Sequence, residues 1–252
     1  MENEWIRDDE TMEDLQLGGL KLLQKKKGFR FGMDSVLLAH FADIRKGDRT
    51  ADFGTGTGIL PLLLIGRGKG SEFHGLEIQP EYCEMAERTM KINHLTDRVH
   101  IHCHDAGQAD LLFPPCSIDS VICNPPYGVP GSGLVSPFSD RAAARNQNPD
   151  TLQSFFRAAF RILKGRGKIS IIYPVQYMLS VMNLMAVQHL EPKRFQLVYP
   201  QADRAANLVL IEGVKDARPS LHPMKPLVIF DEKKDLTNEL KSIYHISEQT
   251  MV

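Results

Sequence analysis

Apolar and polar residues change rhythm several times along the chain, and each change predicts an element. Leu15, Leu17, Leu20 and Leu22 alternate with other residues around Gly18-Gly19. Alternation is the period of a strand, and paired glycines supply the positive φ angles of a type I′ turn, so a β-hairpin is expected. A helix is expected to begin near Asp34, whose carboxylate can cap free backbone N–H groups; Val36, Leu37, Leu38 and Phe41 follow. From residue 50 the rhythm becomes strand, glycine turn, helix, strand. Short β-rich runs fall at 50–53, 73–76, 99–103, 118–123 and 168–172. Between them, 80–93 opens on Pro80 and sets Tyr82, Met85, Ala86 and Met90 along one stripe. Residues 151–163 set Leu152, Phe155, Phe156, Ala159 and Leu163 on one face and stop at Gly165. Strands alternating with amphipathic helices predict an α/β fold, a mostly parallel sheet with helices on both faces. The runs 195–199, 207–214 and 226–230 predict an antiparallel C-terminal edge. Four segments result: an acidic lead-in at 1–14, a hairpin and helix at 15–47, a main domain at 48–230 and a tail at 231–252.

Composition changes this picture little. With 252 residues, 42% hydrophobic and 24% charged, the chain can bury a core without disulfides or metals. No apolar run approaches the ~20 residues that span a bilayer. The acidic N-terminus lacks the basic-then-apolar layout of a secretory signal, so a cytoplasmic protein is expected. Cys83, Cys103, Cys116 and Cys123 form no C-x-x-C pair, which excludes a zinc knuckle and a dithiol redox motif. His100, His102 and His104 alternate with Ile101 and Cys103. Strand alternation accounts for them, with Val99, Ile101 and Cys103 inward and the histidines outward, and no metal is expected.

Charge matters locally. The formal net charge is −1, so a nucleic-acid partner must be held by basic patches. Lys21, Lys25, Lys26, Lys27 and Arg30 make one; Arg161, Lys164, Arg166 and Lys168 make another. Such runs are ordinarily solvated faces and gain meaning only beside a catalytic site.

The candidate chemistry lies at successive strand ends. Asp52-Phe53-Gly54-Thr55-Gly56-Thr57-Gly58 follows a strand and opens the apolar run Ile59 to Ile65, where glycines permit a sharp turn and close approach of a ligand. Glu77 lies 19 residues after Gly58, placed to accept hydrogen bonds from both hydroxyls of a ribose. Asp105 follows the third strand, placed to meet an adenine amine. An adenosine-shaped site results. The third glycine comes one residue earlier than in the G-x-G-x-x-G of nicotinamide dinucleotide sites, which favours a single adenosine with a short tail.

Asn124-Pro125-Pro126-Tyr127 directly follows the fourth strand. Prolines alone could end a strand, but an aromatic amine awaiting attack needs more. Its lone pair is delocalised, and acceptors placed out of the ring plane draw the nitrogen toward a nucleophilic shape. Asn124 offers a side-chain carbonyl, Pro125 a stiff backbone carbonyl and Tyr127 a flat face for a planar base. Residues 128–150, rich in glycine and proline, follow as a substrate-side flap in which Arg141 and Arg145 are candidates to meet phosphates.

The glycine turn, Glu77, Asp105 and Asn124-Pro125-Pro126-Tyr127 together resemble the Rossmann-like amino-methyltransferases that use S-adenosylmethionine. Gly28-Phe29-Arg30-Phe31-Gly32-Met33-Asp34-Ser35, Leu37-Leu38-Ala39 and Ala144-Arg145 extend the likeness. They point to the bacterial family that methylates the N6 amine of the adenine 3′ to the anticodon of a valine tRNA. The likeness runs from about residue 15 to about residue 230. It implies a seven-stranded twisted sheet, S-adenosylmethionine as cofactor and tRNA as partner, with no membrane. It implies cofactor contacts at Asp52, Gly54, Thr55, Gly56, Glu77, Asp105 and Asn124, catalysis at Asn124, Pro125 and Tyr127, and RNA contacts at Lys25, Lys26, Lys27, Arg30, Arg141 and Arg145. Phe31 and Asp34 are lesser candidates near the methionine end of the cofactor, and Met33 stands where a threonine is expected. The tetrapeptide also occurs in enzymes methylating a glutamine amide of release factors and the N2 amine of guanine in rRNA. Glutamine enzymes usually carry a preceding helical domain, and only about fifty residues precede this glycine turn. A non-catalytic adenosine- or RNA-binding module would be marked by decay of the tetrapeptide, which is intact. Monomer and weak dimer are both open.

Overall fold

The strand-like runs pair into one twisted sheet because their apolar residues point alternately to its two faces. In the computed structural model, which describes residues 5–27, 32–125 and 149–244, Ile171 and Ile211 are buried on one face while Ile172 and Leu210 are buried on the other. Each such side chain, taken fully out of water, contributes roughly 1.5–3 kcal/mol. A sheet with both faces apolar must be covered on both sides.

A hairpin of β1 (Glu10–Asp14) and β2 (Lys21–Lys25) precedes the main sheet. Helix α1 (Met33–Phe41) follows, and then β3 (Arg49–Phe53), α2 (Ile59–Gly66), β4 (Glu72–Glu77), α3 (Pro80–Ile92), β5 (Val99–Cys103) and β6 (Ile118–Cys123). The second half holds α4 (Pro149–Ile162), β7 (Leu163–Pro174), α5 (Met178–Val187), β8 (Leu190–Gln201), β9 (Leu208–Lys215), β10 (His222–Pro223), β11 (Leu227–Phe230) and α6 (Asn238–Ile243). Seven strands in the order β8-β9-β7-β6-β3-β4-β5 form the body of the sheet, and the short β10 and β11 add to β8. Helices α1, α2 and α6 cover one face; α4 and α5 cover the other.

The pairings refine the expected C-terminal edge. Only β9 runs against its neighbours; β8, β10 and β11 are parallel to the body of the sheet. The expected tail is also structured. Leu240 and Ile243 of α6 are buried, and the Arg67 guanidinium donates to the Ile243 carbonyl at 3.0 Å.

Gly18 and Gly19 make the expected turn, with φ of +62° and +77°, and Leu20 N–H donates to the Leu17 carbonyl at 3.2 Å. The lead-in, however, is not loose from Glu10 onward. Arg88 of α3 grips the buried Glu10 carboxylate with two hydrogen bonds of 2.7 Å, and the Asn93 amide donates to the Lys21 carbonyl at 2.7 Å. Acids that look like a solvated run are half of an inter-element ion pair. Helix α1 differs in a smaller way: Gly32 is its N-cap, and Asp34 lies in the first turn instead of capping it.

The histidine strand needs a correction. Cys103 is exposed and His102 is half-buried, because β5 has packing on both sides and Cys103 is its last residue. His102 Nε2 lies 3.1 Å from Nδ1 of the buried His74, and both rings meet the edge of Phe113. Arg49 Nε–H donates to His74 Nε2 at 2.9 Å. The Glu72 carboxylate lies 3.1 Å from the same nitrogen, yet burial, together with the Arg49 charge, pushes His74 down to about 3 and keeps it neutral. No cluster with metal-ligand geometry occurs among the described residues.

A histidine with a depressed value makes stability depend on acid. The unfolded chain takes up this proton near ~6.5, whereas the folded chain resists until about 3. Stability from neutral His74 is complete above the first value and is lost as pH falls through that window. His74→Gln should flatten the fall of the melting temperature between roughly pH 6.5 and pH 4. Parallel acid limbs for variant and wild type would show that His74 is protonated in the fold.

Candidate functional site

The site follows from the order in which strands are laid down. From β3 the chain moves to β4 and β5 on one side, then returns to place β6 on the other side of β3. Loops leaving β3 and β6 diverge there and open a crevice at the carboxyl ends of the strands, where ligands bind in open α/β sheets. In register, Phe53 pairs with Leu76 and with Cys123, and Glu77 pairs with Cys103. The glycine turn, Glu77, Asp105 and Asn124 therefore share one edge.

The turn after β3 is held from beneath. Gly54 and Thr55 N–H both donate to the Leu76 carbonyl, at 2.9 and 3.0 Å, and Gly56 N–H donates to Glu77 Oε2 at 3.1 Å. Gly54 and Gly56 have φ of +78° and +56°, and a Cβ on either would meet nothing within 4 Å. Positive φ favours glycine here, and the space beside the turn is open to a ligand. Gly58, at φ +87°, starts α2, and there a Cβ would strike Met90. Thr55 turns the other way, its side chain packed over Gly75, so it offers the site backbone only.

Two acids stand below and beside this turn. Asp52 is 0% exposed, and neither of its oxygens completes a hydrogen bond. Burial pushes it up to about 7, opposed by the adjacent Thr55 hydroxyl and helped by the charge of Glu77. Such a carboxyl lacks a cation. Glu77, also buried, takes Gly56 N–H on one oxygen and Gln79 N–H on the other at 2.9 Å, which aims the carboxylate while leaving it lone pairs. An orphaned acid, an open glycine cradle and an aimed carboxylate fit a nucleoside bearing an ammonium group. Asp105 caps the following 3-10 turn, accepting from Gly107 N–H at 2.8 Å through Oδ1.

Asn124 ends β6 and is half-buried, with Pro125 buried after it. Its amide nitrogen donates to the hydroxyl of Ser35 at 3.2 Å. Ser35, on the first turn of α1, is 1% exposed. Residue spacing carries no sign of this contact, because 89 positions separate the two. Asp34 beside it is pushed up to about 6 by burial. Its charge adds to the burial that lifts Tyr244, next to α6, to about 12. Met33 packs against the core.

The basic candidates divide. Lys25 is not a surface charge: it is buried, pairs with Asp9 at 2.6 Å and also pairs with Glu81. Two carboxylates already occupy it, which corrects the expectation that it meets phosphate. Lys26 and Lys27 are exposed, and the pairing of Lys25 with Glu81 brings them to the end of the sheet that carries Glu77. Lys164 pairs with Asp119 at 2.7 Å and Lys168 with Asp43, both at strand starts on the opposite edge from Asn124. That second patch does not flank the site. Arg30, Phe31, Tyr127, Arg141 and Arg145 lie outside the described residues.

The chain is similar to known proteins in sequence and in fold. A tRNA1(Val) (adenine(37)-N6)-methyltransferase of Tolumonas auensis is 28% identical over 75% of this chain and 77% of its own. One from Pasteurella multocida is 28% identical over 81% and 83%. In fold, the chain resembles a predicted O-methyltransferase from Agrobacterium tumefaciens (TM-score 0.67, 22% identity, 84% of this chain and 96% of that one). It also resembles P. horikoshii TYW2 in complex with MeSAdo (TM-score 0.57, 17% identity, 84% and 73%). The family model described as a methyltransferase domain matches residues 44–239, from just before β3 into α6, and the chain belongs to that family.

Proposed function

We propose that this methyltransferase moves a methyl group from S-adenosylmethionine to the exocyclic N6 amine of an adenine in tRNA, the adenine 3′ to the anticodon of a valine tRNA. The observation that carries the reading is Asn124 at the end of β6, across the switch point from the glycine turn and its two buried acids. The names of the relatives above supply the tRNA and the position.

Each residue has a task. Asp52 would take the ammonium of the cofactor, whose charge draws the acid back to its carboxylate form. Glu77 would hold the ribose hydroxyls, and Asp105 would meet the adenine edge. Gly54, Thr55 and Gly56 would present backbone to the cofactor. When bound, S-adenosylmethionine supplies a methyl group activated by its sulfonium. Asn124 and Pro125 accept the two hydrogens of the target amine and turn its lone pair toward that methyl. Tyr127, by its place in the tetrapeptide, stacks on the flipped base. Asparagine is no base, so the proton leaves after attack and the rate rests on alignment and preorganised dipoles. Lys26, Lys27, Arg30, Arg141 and Arg145 are assigned to RNA phosphates.

The direct test is methyl transfer to total tRNA from cells lacking the enzyme, followed by nucleoside analysis. N6-methyladenosine is expected, and Asn124→Ala should lower turnover by about 10²–10³-fold, the scale of losing one preorganised transition-state contact. A methylated guanine or protein glutamine would replace the acceptor; full activity of Asn124→Ala would remove the mechanism. Glu77→Ala should weaken binding of S-adenosylhomocysteine at least about tenfold in calorimetry, or ~1.4 kcal/mol. Equal affinity would overturn the ribose assignment. Replacing Lys26 and Lys27 by alanine should reduce the slope of log tRNA affinity against log salt by about 1–2, with cofactor affinity unchanged. An unaltered slope would return both lysines to the solvated surface.

A further inference from the structure

We infer that Tyr177 is an RNA-binding residue on which a base next to the target nucleotide stacks. The inference rests on the RNA-methylating reading above and deepens it on the acceptor's side.

Methyl transfer needs the acceptor nitrogen, the methyl and the sulfonium in line, so the acceptor lies beyond the methyl as seen from the cofactor. The residues assigned to the cofactor stand at the ends of β3, β4 and β5, β6 carries Asn124, and the next strand outward is β7. In register, Cys123 pairs with Ile171, which brings Tyr173 and Pro174 to the level of the tetrapeptide. Substrate reaching past Asn124, away from the cofactor, therefore meets the chain that leaves β7.

That chain presents an aromatic ring. Tyr177 is 40% exposed, at the end of the short 3-10 turn Val175–Tyr177. The turn is pinned, because Val175 N–H donates to the Asn207 carbonyl at 3.0 Å. Behind it, the buried Tyr173 meets Tyr177 edge to face, with ring centroids 5.8 Å apart. Burial raises the Tyr173 hydroxyl, and Tyr177 and Cys123 are near enough to add to the effect. Tyr173 thus links Tyr177 to the residue before Asn124. A ring held in this way loses little freedom when a base settles on it. Leu179, two residues on, is 72% exposed, and no charged residue occurs from Ile169 to Leu190. No carboxylate of this segment repels a polyanion, and flat apolar surface suits a base.

The occupant is a neighbour of the target base and not the target itself. Tyr173 packs with α4 and α5, whereas Asn124 contacts Ser35 of α1. The two sites thus turn toward opposite faces of the sheet, on adjacent strands about 4.8 Å apart. Drawing one base out of its stack leaves the next without a partner. Tyr177 replaces the partner that was lost.

Tyr177→Ala should raise KM for tRNA about 5- to 100-fold, the scale of one lost base–aromatic stack. Turnover and affinity for S-adenosylhomocysteine should change less than about twofold. Tyr177→Phe keeps the flat face and should stay near wild type. A stem-loop RNA with an abasic nucleotide on the 5′ or the 3′ side of the target adenosine locates the contact. On one of the two, Tyr177→Ala should cost nothing further. Fluorescence gives a readout without turnover. Trp5 is the only tryptophan of the chain, so in a Trp5→Phe background Tyr177→Trp reports alone, and the intact stem-loop should quench it. An unchanged KM in Tyr177→Ala, an equal penalty on both abasic RNAs, or an unquenched tryptophan on an RNA that is methylated would each overturn the inference and leave the reaction standing. Quenching by an RNA methylated on guanine would keep the stacking role and remove the adenine assignment.

Discussion

Everything at the site depends on the turn after β3 being tied to the end of β4. Three successive N–H groups, from Gly54 to Gly56, are spent on the Leu76 carbonyl and the Glu77 carboxylate. The backbone can follow that path only with positive φ at Gly54 and Gly56, which is why glycine stands there. Two results come from one set of bonds. The loop is flattened against the sheet, so the space above it opens, and Glu77 is fixed at the rim. Asp52, one residue before β3 ends, is left beneath with no partner of its own. Isolated, a buried acid of this kind is a cost to the fold. On the function proposed above, a cationic ligand would supply the partner that Asp52 lacks.

The N-terminal hairpin is the second support, and charge does much of the joining. Glu10 and Arg88 form a bidentate pair with the carboxylate fully enclosed, while Leu22 and Leu23 of β2 bury their side chains in the domain. Breaking one side of such a buried pair typically costs roughly 3–5 kcal/mol, because the other charge is stranded. Lys25 extends the clamp to Glu81 at the start of α3, the helix that follows Glu77. The hairpin therefore buttresses the Glu77 side of the crevice instead of hanging from the domain.

Much of this was legible in the residues, for physical reasons that can be named. Gly54, Gly56 and Gly58 announce a turn because three positive φ angles in five residues strongly favour glycine. The strands of the body show as short apolar runs because both faces are covered. Asn124-Pro125-Pro126-Tyr127 stands out because an amine acceptor demands those groups side by side. What escaped were relations between distant segments. Nothing in the local pattern of Glu10 or Lys25 tells that each will be paired with α3, so an acidic stretch read as a lead-in and a lysine read as free. Helix α5 carries apolar residues almost all round, and several, such as Leu179 and Val187, are exposed, so no clean stripe marked it. The bond from Ser35 to Asn124 joins two residues whose neighbours in the chain say nothing of each other.

The reversed strand β9 has a bearing on how the chain reaches this state. In the sheet it lies between β7 and β8, yet β8 is made first. Once β7 exists, its outer edge must wait, with Ile169, Ile171 and Ile172 already committed to the two faces, until β8 and β9 arrive together. Those two strands are joined by a short turn at 202–207 and can close as a local hairpin on a time scale of about microseconds. All eight residues of β9 are buried in the finished sheet, and the hairpin that docks carries Glu212 already paired with Arg194 of β8 among its apolar residues. Until it does, β7 is an open edge of the kind that invites pairing with another chain. The half that carries the glycine turn shares this feature, because one edge of β3 waits for β6 until β4 and β5 have been laid down on the other.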